Sequence, residues 1–298
     1  MAKKEMHHFG ADLKFGPQFF RRDRAEYLAE FDGGQGRKRV GETSVWYLFS
    51  REAAAELKAF NPEARVIIML REPVAMLHSL FHQFCADGNE PLRTFEEALA
   101  AEKAGRAEQR GSRQTYLPQA LAYRATAGFT EQVTRYFEVF GRDRVKVIIY
   151  DDFAANPGEA CREALEFLGV NVNGISPNYS YESMNANVNG DRSVRSPLVR
   201  RIIQDPLVRG TAIAMRRWAP KPLFAAVQAV GLRIMTRNFV KSPEQRPAVA
   251  PETAKRLREE FAPEIKRLSA LLGRDLTRWT MPKVEPVPAA PLVAPIEA

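Results

Sequence analysis

The stretch Arg65 to Phe84, RVIIMLREPVAMLHSLFHQF, constrains the fold more than any other part of the chain. Val66 to Leu70 is a short, wholly apolar run, as expected of a strand buried on both faces of a parallel sheet. Arg71-Glu72-Pro73 breaks it, and Pro73 stands where a helix would begin, because the first helical position needs no N–H. Val74, Leu77, Phe81 and Phe84 follow at helical spacing, so the helix packs that stripe back on the sheet. Arg71 is thereby left at the carboxyl end of a strand, where open α/β sheets bind ligands. Its planar fork of donors, Ser79 about two helical turns along on another stripe, and the N–H groups of the first turn together suit a phosphate. An ion-paired structural arginine fits the same spacing, so the pattern alone leaves both readings open.

The rest of the chain repeats the alternation. Arg39 to Thr43 reads as a short strand, Val45 to Phe49 leads into a helix over 51–60, and Asn61-Pro62 ends that helix. Thr94-Phe95-Glu96-Glu97 is a capping box that opens a polar helix. Helices are expected over 115–127 and 130–140, the second closed by Gly141. Val145 to Tyr150 is a second buried strand, and Asn156-Pro157 starts a helix that Gly169 stops. Pro251 to Leu272 is a long amphipathic helix interrupted by Pro263 and ended by Gly273. Strands alternating with helices predict an α/β fold, a parallel sheet flanked by helices. Residues 1–280 read as one such domain, with 192–245 a helical lid or insertion, and 281–298 as a disordered Pro/Ala-rich tail.

Composition narrows the class. A chain of 298 residues buries a large core, and no apolar run is long enough to cross a bilayer. Cys85 and Cys161 are too few for a disulfide framework, which points to free thiols and a reducing, cytoplasmic setting. A formal charge of +8 favours an anionic partner such as a nucleotide, an acidic glycan or the inner face of a membrane, although solvated arginines give the same total. No nucleic-acid-binding motif is present. Gly33-Gly34-Gln35-Gly36 is a turn rather than a phosphate loop, since no Gly-Lys-Ser/Thr follows. His78, His82 and Cys85 share one face of the central helix, a conceivable zinc set, but a fourth ligand and the Glu of a His-Glu-x-x-His motif are missing.

The central unit resembles the 3′-phosphate-binding segment of sulfotransferases that use 3′-phosphoadenylyl sulfate (PAPS). In that family a strand ends in Arg-[Asp/Glu]-Pro, and a serine follows eight positions after the arginine; here these are Arg71-Glu72-Pro73 and Ser79. Lys4-Glu5-Met6-His7-His8-Phe9 resembles the family's Lys-Glu-x-His-Phe-Phe segment, and Gly41-Glu42-Thr43-Ser44-Val45-Trp46-Tyr47 its Glu-Lys-[Ser/Thr]-Pro-x-Tyr segment. Pro247, Pro251, the long helix and Leu271 to Trp279 are similar to the end of the glycan-directed branch, which holds the heparan sulfate N- and 3-O-sulfotransferases and bacterial relatives.

The resemblance implies a P-loop-type sulfotransferase fold and transfer of a sulfuryl group from PAPS to a carbohydrate or glycolipid hydroxyl or amine, without a metal. Arg71 and Ser79 would hold the 3′-phosphate, and Gly128-Phe129 would match the family's Gly-x-Tyr near the adenine. Glu5 would be the general base, supported by His7, with Glu42 binding the acceptor or bracing Glu5. For Glu5 the plain alternative is a solvated terminal carboxylate, for Glu42 a structural hydrogen bond, and for Trp46 and Tyr47 a place in the core. The chain departs from the family in three places. Its glycine-rich, lysine-bearing loop for the 5′-phosphosulfate has no counterpart, so the fold is expected to lack its first β-loop-α unit. Thr43 replaces a lysine, and the Lys-Gly-Arg loop is out of register, leaving Arg246, Lys241, Arg192 and Arg195 as candidates. These departures leave a catalytically inactive, sulfotransferase-like binding protein as the alternative.

Overall fold

The structure is a computed structural model, and it describes residues 5–15, 23–87, 89–105, 115, 117–172, 192–194, 239–241 and 247–282. Most of the region expected as a lid, the tail beyond 282, and Arg195 and Arg246 lie outside the described residues.

Two strands form the centre, β1 (Val66–Leu70) and β2 (Val145–Ile149), paired in parallel with Val66 opposite Val145 and Leu70 opposite Ile149. The helices met along the chain are α1 (Arg24–Ala29), α2 (Ala53–Phe60), α3 (Pro73–Ala86), α4 (Phe95–Lys103), α5 (Tyr123–Thr126) and α6 (Phe129–Phe140). After β2 come α7 (Tyr150–Ala155) and α8 (Pro157–Phe167), and the long C-terminal helix is α9 (Pro251–Leu272). A short antiparallel pair, β3 (Arg192–Val194) and β4 (Phe239–Lys241), places Arg192 and Lys241 at one register position.

The central unit forms as its sequence dictates. Pro73 opens α3, and Val74, Leu77, Phe81 and Phe84 are buried against Ile68 and Leu70 of the core. Helix α9 crosses the same core with Leu257, Phe261, Ile265 and Leu268, packing on α3 and α6. It is fastened by side chains: Glu264 accepts from the Thr130 N–H at the start of α6, and Glu260 pairs with Arg124. The helix runs through Pro263, and Gly273 ends it at φ 63°, with the Arg274 N–H returning to the Ser269 carbonyl. The capping box at Thr94 and the Asn156 cap form as expected.

Three expectations are corrected. β1 is not buried on both faces: Ile68 and Leu70 are 5% and 1% exposed, whereas Ile67 and Met69 are 39% and 46% exposed. Strand pleating sends alternate side chains to opposite faces. On the outer face α8 lies beside β2, with Lys146 reaching Glu163, and leaves the β1 side chains in the open. Residues 39–43 form no strand; among the described residues their one ladder-like bond is from the Glu5 N–H to the Thr43 carbonyl. Residues 115–127 break into a 3₁₀ turn (Pro118–Leu121) and the short α5, because Pro118 and the run after it support no continuous helix.

Candidate functional site

Two clusters of candidate residues are built by different means. The first is the N-terminal segment around Glu5 and His7. It belongs to no strand, so its backbone N–H groups need side-chain partners. Five successive ones find them: His7 donates to Ser44 Oγ (3.1 Å), His8 and Phe9 to the Tyr47 hydroxyl (2.8 and 3.3 Å), and Gly10 and Ala11 to the two Glu56 oxygens (2.7 and 3.1 Å). Met6 and Phe9 bury themselves among Tyr27, Tyr47 and Ala53. Gly10 sits at φ 88°, where a Cβ would meet Leu13 Cδ1 and Ser50 Oγ at 3.0 Å.

Glu42 is the hub of this arrangement. One of its oxygens accepts from the Tyr27 and Tyr47 hydroxyls (3.0 and 2.9 Å), the other from Ser44 Oγ (2.7 Å). Burial, and then the Glu42 charge, push both tyrosine pKa values up, so both remain donors. Through the Ser44 and Tyr47 hydroxyls, Glu42 is linked to the backbone of residues 7–9.

Glu5 and His7 are brought together. His7 Nε2 lies 3.5 Å from Glu5 Oε2, and the same carboxylate oxygen accepts from the Val45 N–H (3.3 Å). Both residues hold left-handed backbone, φ 61° and 49°, an uncommon state for non-glycine residues that the surrounding hydrogen bonds maintain. His7 is 5% exposed, stacks on Phe15 with centroids 4.4 Å apart, and has Nδ1 buried without a hydrogen-bond partner among the described residues. Burial lowers its pKa to about 4, so it is neutral at pH 7. Glu5 keeps about a third of its side chain exposed (32%), so it is neither a frayed terminus nor sealed from an acceptor.

The second cluster is at the carboxyl ends of β1 and β2. Arg71 is half-buried, and its guanidinium lies 4.9 Å from the centroid of the Tyr150 ring. Among the described residues no carboxylate pairs with it. Neighbouring Glu72 is buried and turned the other way, its oxygens accepting from the Val74 and Ala75 N–H groups (3.2 and 2.7 Å). This corrects one expectation: the first-turn N–H groups of α3 are already capped, so an anion here would be held by side chains. Ser79 is half-buried on α3, off the core stripe.

Other candidates take plainer places. Phe129 is 4% exposed within the main core, and Gly128 precedes α6 as its cap residue. Trp46 and Tyr47 are likewise buried. His78 and His82 touch each other (Nε2 to Nε2, 3.0 Å), while Cys85 Sγ points to the Leu92 carbonyl (3.7 Å). Among the described residues no three His, Cys, Asp or Glu side chains are grouped to hold a metal ion. Cys85 and Cys161 form no disulfide among the described residues, and among these no helix is long and apolar enough to cross a membrane. Ser44, Tyr47 and Glu56 are the residues that sequence reasoning missed as holders of the N-terminal segment; their partners are backbone groups, which leave no pattern in a sequence.

Comparison with known proteins places this geometry. The sulfotransferase domain family matches residues 19–193, more than half of the chain, and the chain belongs to that family. Among solved structures, the crystal structure of a sulfotransferase from Alicyclobacillus acidocaldarius is similar, with 28% sequence identity and a TM-score of 0.62. The match covers 94% of this chain and 87% of that one. The α/β architecture is thus that of a sulfotransferase. No curated protein matches the chain.

Proposed function

We propose that this chain transfers a sulfuryl group from PAPS to a hydroxyl or amine of a carbohydrate or glycolipid. The observation that carries the reading is Arg71 at the carboxyl end of β1, with its donor fork unclaimed by any carboxylate among the described residues. When bound, PAPS supplies the sulfuryl group: the sulfur bonds the acceptor oxygen or nitrogen as its bond to the 5′-phosphate oxygen breaks, and adenosine 3′,5′-bisphosphate leaves with the electron pair. Arg71 and Ser79 anchor the 3′-phosphate, Arg71 through charge-assisted bonds. Glu5 takes the acceptor proton. Neutral His7 beside it adds no positive charge. Glu42 acts through Ser44, Tyr47 and Tyr27.

One observation favours a second reading. The two parallel strands end in Arg71-Glu72-Pro73 and Tyr150-Asp151-Asp152, and neither is a glycine-rich loop with a lysine. That suits a sulfotransferase-like protein that binds nucleotide or glycan without turnover. Titration with adenosine 3′,5′-bisphosphate tests what the two readings share. Arg71→Ala should weaken binding about 10- to 100-fold, as loss of a charge-assisted hydrogen bond does, and Ser79→Ala by less. Unchanged affinity in both variants overturns the site.

A further inference from the structure

Helix α3 carries two histidines that the proposed sulfuryl transfer does not use. His78 and His82 are four residues apart, so they stand one above the other on one helix face. Both are half-buried. Their Nε2 atoms lie 3.0 Å apart, with the ring planes at 89°. Two apolar rings hold them in place: Phe95, the first residue of α4, lies 5.4 Å from the His78 ring, centroid to centroid, and Phe81 lies 5.3 Å from the His82 ring. Phe81 and Phe95 are both buried, and Phe95 follows the Thr94 capping box, so this wall is fixed.

At that separation the pair makes an N–H···N hydrogen bond when one ring donates to the other. The same spacing suits a metal ion. With metal–nitrogen bonds of about 2.0–2.1 Å, two nitrogens 3.0 Å apart subtend about 90–97° at the ion. That is the cis angle of octahedral and square-planar centres. A tetrahedral ion with the same bond lengths needs its nitrogens about 3.3–3.4 Å apart. Near-right angles between imidazoles therefore favour nickel(II) or copper(II) over zinc. Cys85, on the same face, turns its Sγ to the Leu92 carbonyl (3.7 Å), so the two imidazoles act without a thiolate.

We propose that His78 and His82 form a two-histidine chelate for a divalent transition-metal ion of octahedral or square-planar preference, with water completing its coordination. The ion takes the place of the hydrogen between the rings. Each ring ligates through an unprotonated Nε2 and keeps its N–H at Nδ1. Ser79 lies between the two ligands in sequence, so the ion also clamps the turn of α3 that carries it. The site supplies no step of the proposed sulfuryl transfer.

Calorimetric titration of the full chain with Ni²⁺ alone is the test; Cu²⁺ is a poorer probe because it oxidises thiols and Cys85 is one turn away. The native chain should bind one Ni²⁺, and bind it more tightly than Zn²⁺. His78→Gln and His82→Gln should each weaken binding by at least about 10-fold, which is the least that even an outer-shell change costs a metal site. No binding at millimolar Ni²⁺, or tighter binding of Zn²⁺, overturns the proposal. So does native-like binding by one variant, which marks a single-histidine site, or by both, which puts the ion elsewhere. A second measurement needs no variant. Paramagnetic Ni²⁺ should broaden the ring resonances of His78 and His82 before those of His7 and His8, the other two histidines of the chain. Earlier broadening at His7 or His8 overturns the site even if a variant fails to fold.

Discussion

The Tyr47 hydroxyl donates to the Glu42 carboxylate at 2.9 Å and at the same time accepts from the backbone of His8 at 2.8 Å. One phenol thus joins a half-buried carboxylate to a chain segment that has no strand of its own. Removing that oxygen orphans two N–H groups and takes away one of the donors to Glu42. Tyr47→Phe is expected to cost about 1–3 kcal/mol in urea unfolding, the penalty for unmet buried polar groups. Limited proteolysis should then cut first within residues 5–15. Glu42→Gln, which retains an acceptor oxygen, should be milder.

His7 makes stability depend on pH. Its pKa is about 4 in the fold and near 6.5 in an unfolded chain. Between those values the unfolded state binds more protons, so stability rises with pH. The contribution is complete above pH 6.5 and is lost progressively toward pH 4, to a total of no more than about 3 kcal/mol. Urea midpoints at pH 7, 5.5 and 4.5 should fall in that order for the native chain, and less steeply for His7→Phe, which also keeps the stack on Phe15.

Leu77 is completely buried at the contact of α3 with the core. Leu77→Ala should cost about 2–5 kcal/mol, from lost transfer energy and the cavity left behind. Chemical denaturation measures it. Met76→Ala, at a half-buried neighbouring position, should cost clearly less.

The legible part of the fold was the part encoded locally. An apolar run, Pro73 at a helix start and a stripe from Val74 to Phe84 all lie within about twenty residues, and the unit formed as they specify. Caps at Thr94 and Asn156 are equally local. What escaped was set by long-range partners. The catch of His7 by Ser44 spans 37 residues and that of Gly10 by Glu56 spans 46, and neither leaves a period in the sequence. Residues 39–43 read as a short strand, but a strand needs a continuous partner, and among the described residues the segment carrying Glu5 offers a single backbone bond. Glu72 carried two meanings, motif position and helix cap, and the cap claimed the N–H groups assigned to phosphate. The nearness of Arg71 to Tyr150 required the register of β1 on β2, which no single strand reveals.

Sulfuryl transfer itself is the central claim, and Glu5 is the residue on which its chemistry turns. The most direct measurement is transfer of radiolabelled sulfur from PAPS to a panel of carbohydrate and glycolipid acceptors, run in parallel on the native chain and Glu5→Gln. The account predicts acceptor-dependent labelling by the native protein and a loss of about 100-fold or more in the variant, the usual reach of a positioned general base, with nucleotide affinity unchanged. A Glu5→Gln variant as active as the native chain, or a native chain that binds the nucleotide and labels no acceptor, would contradict it.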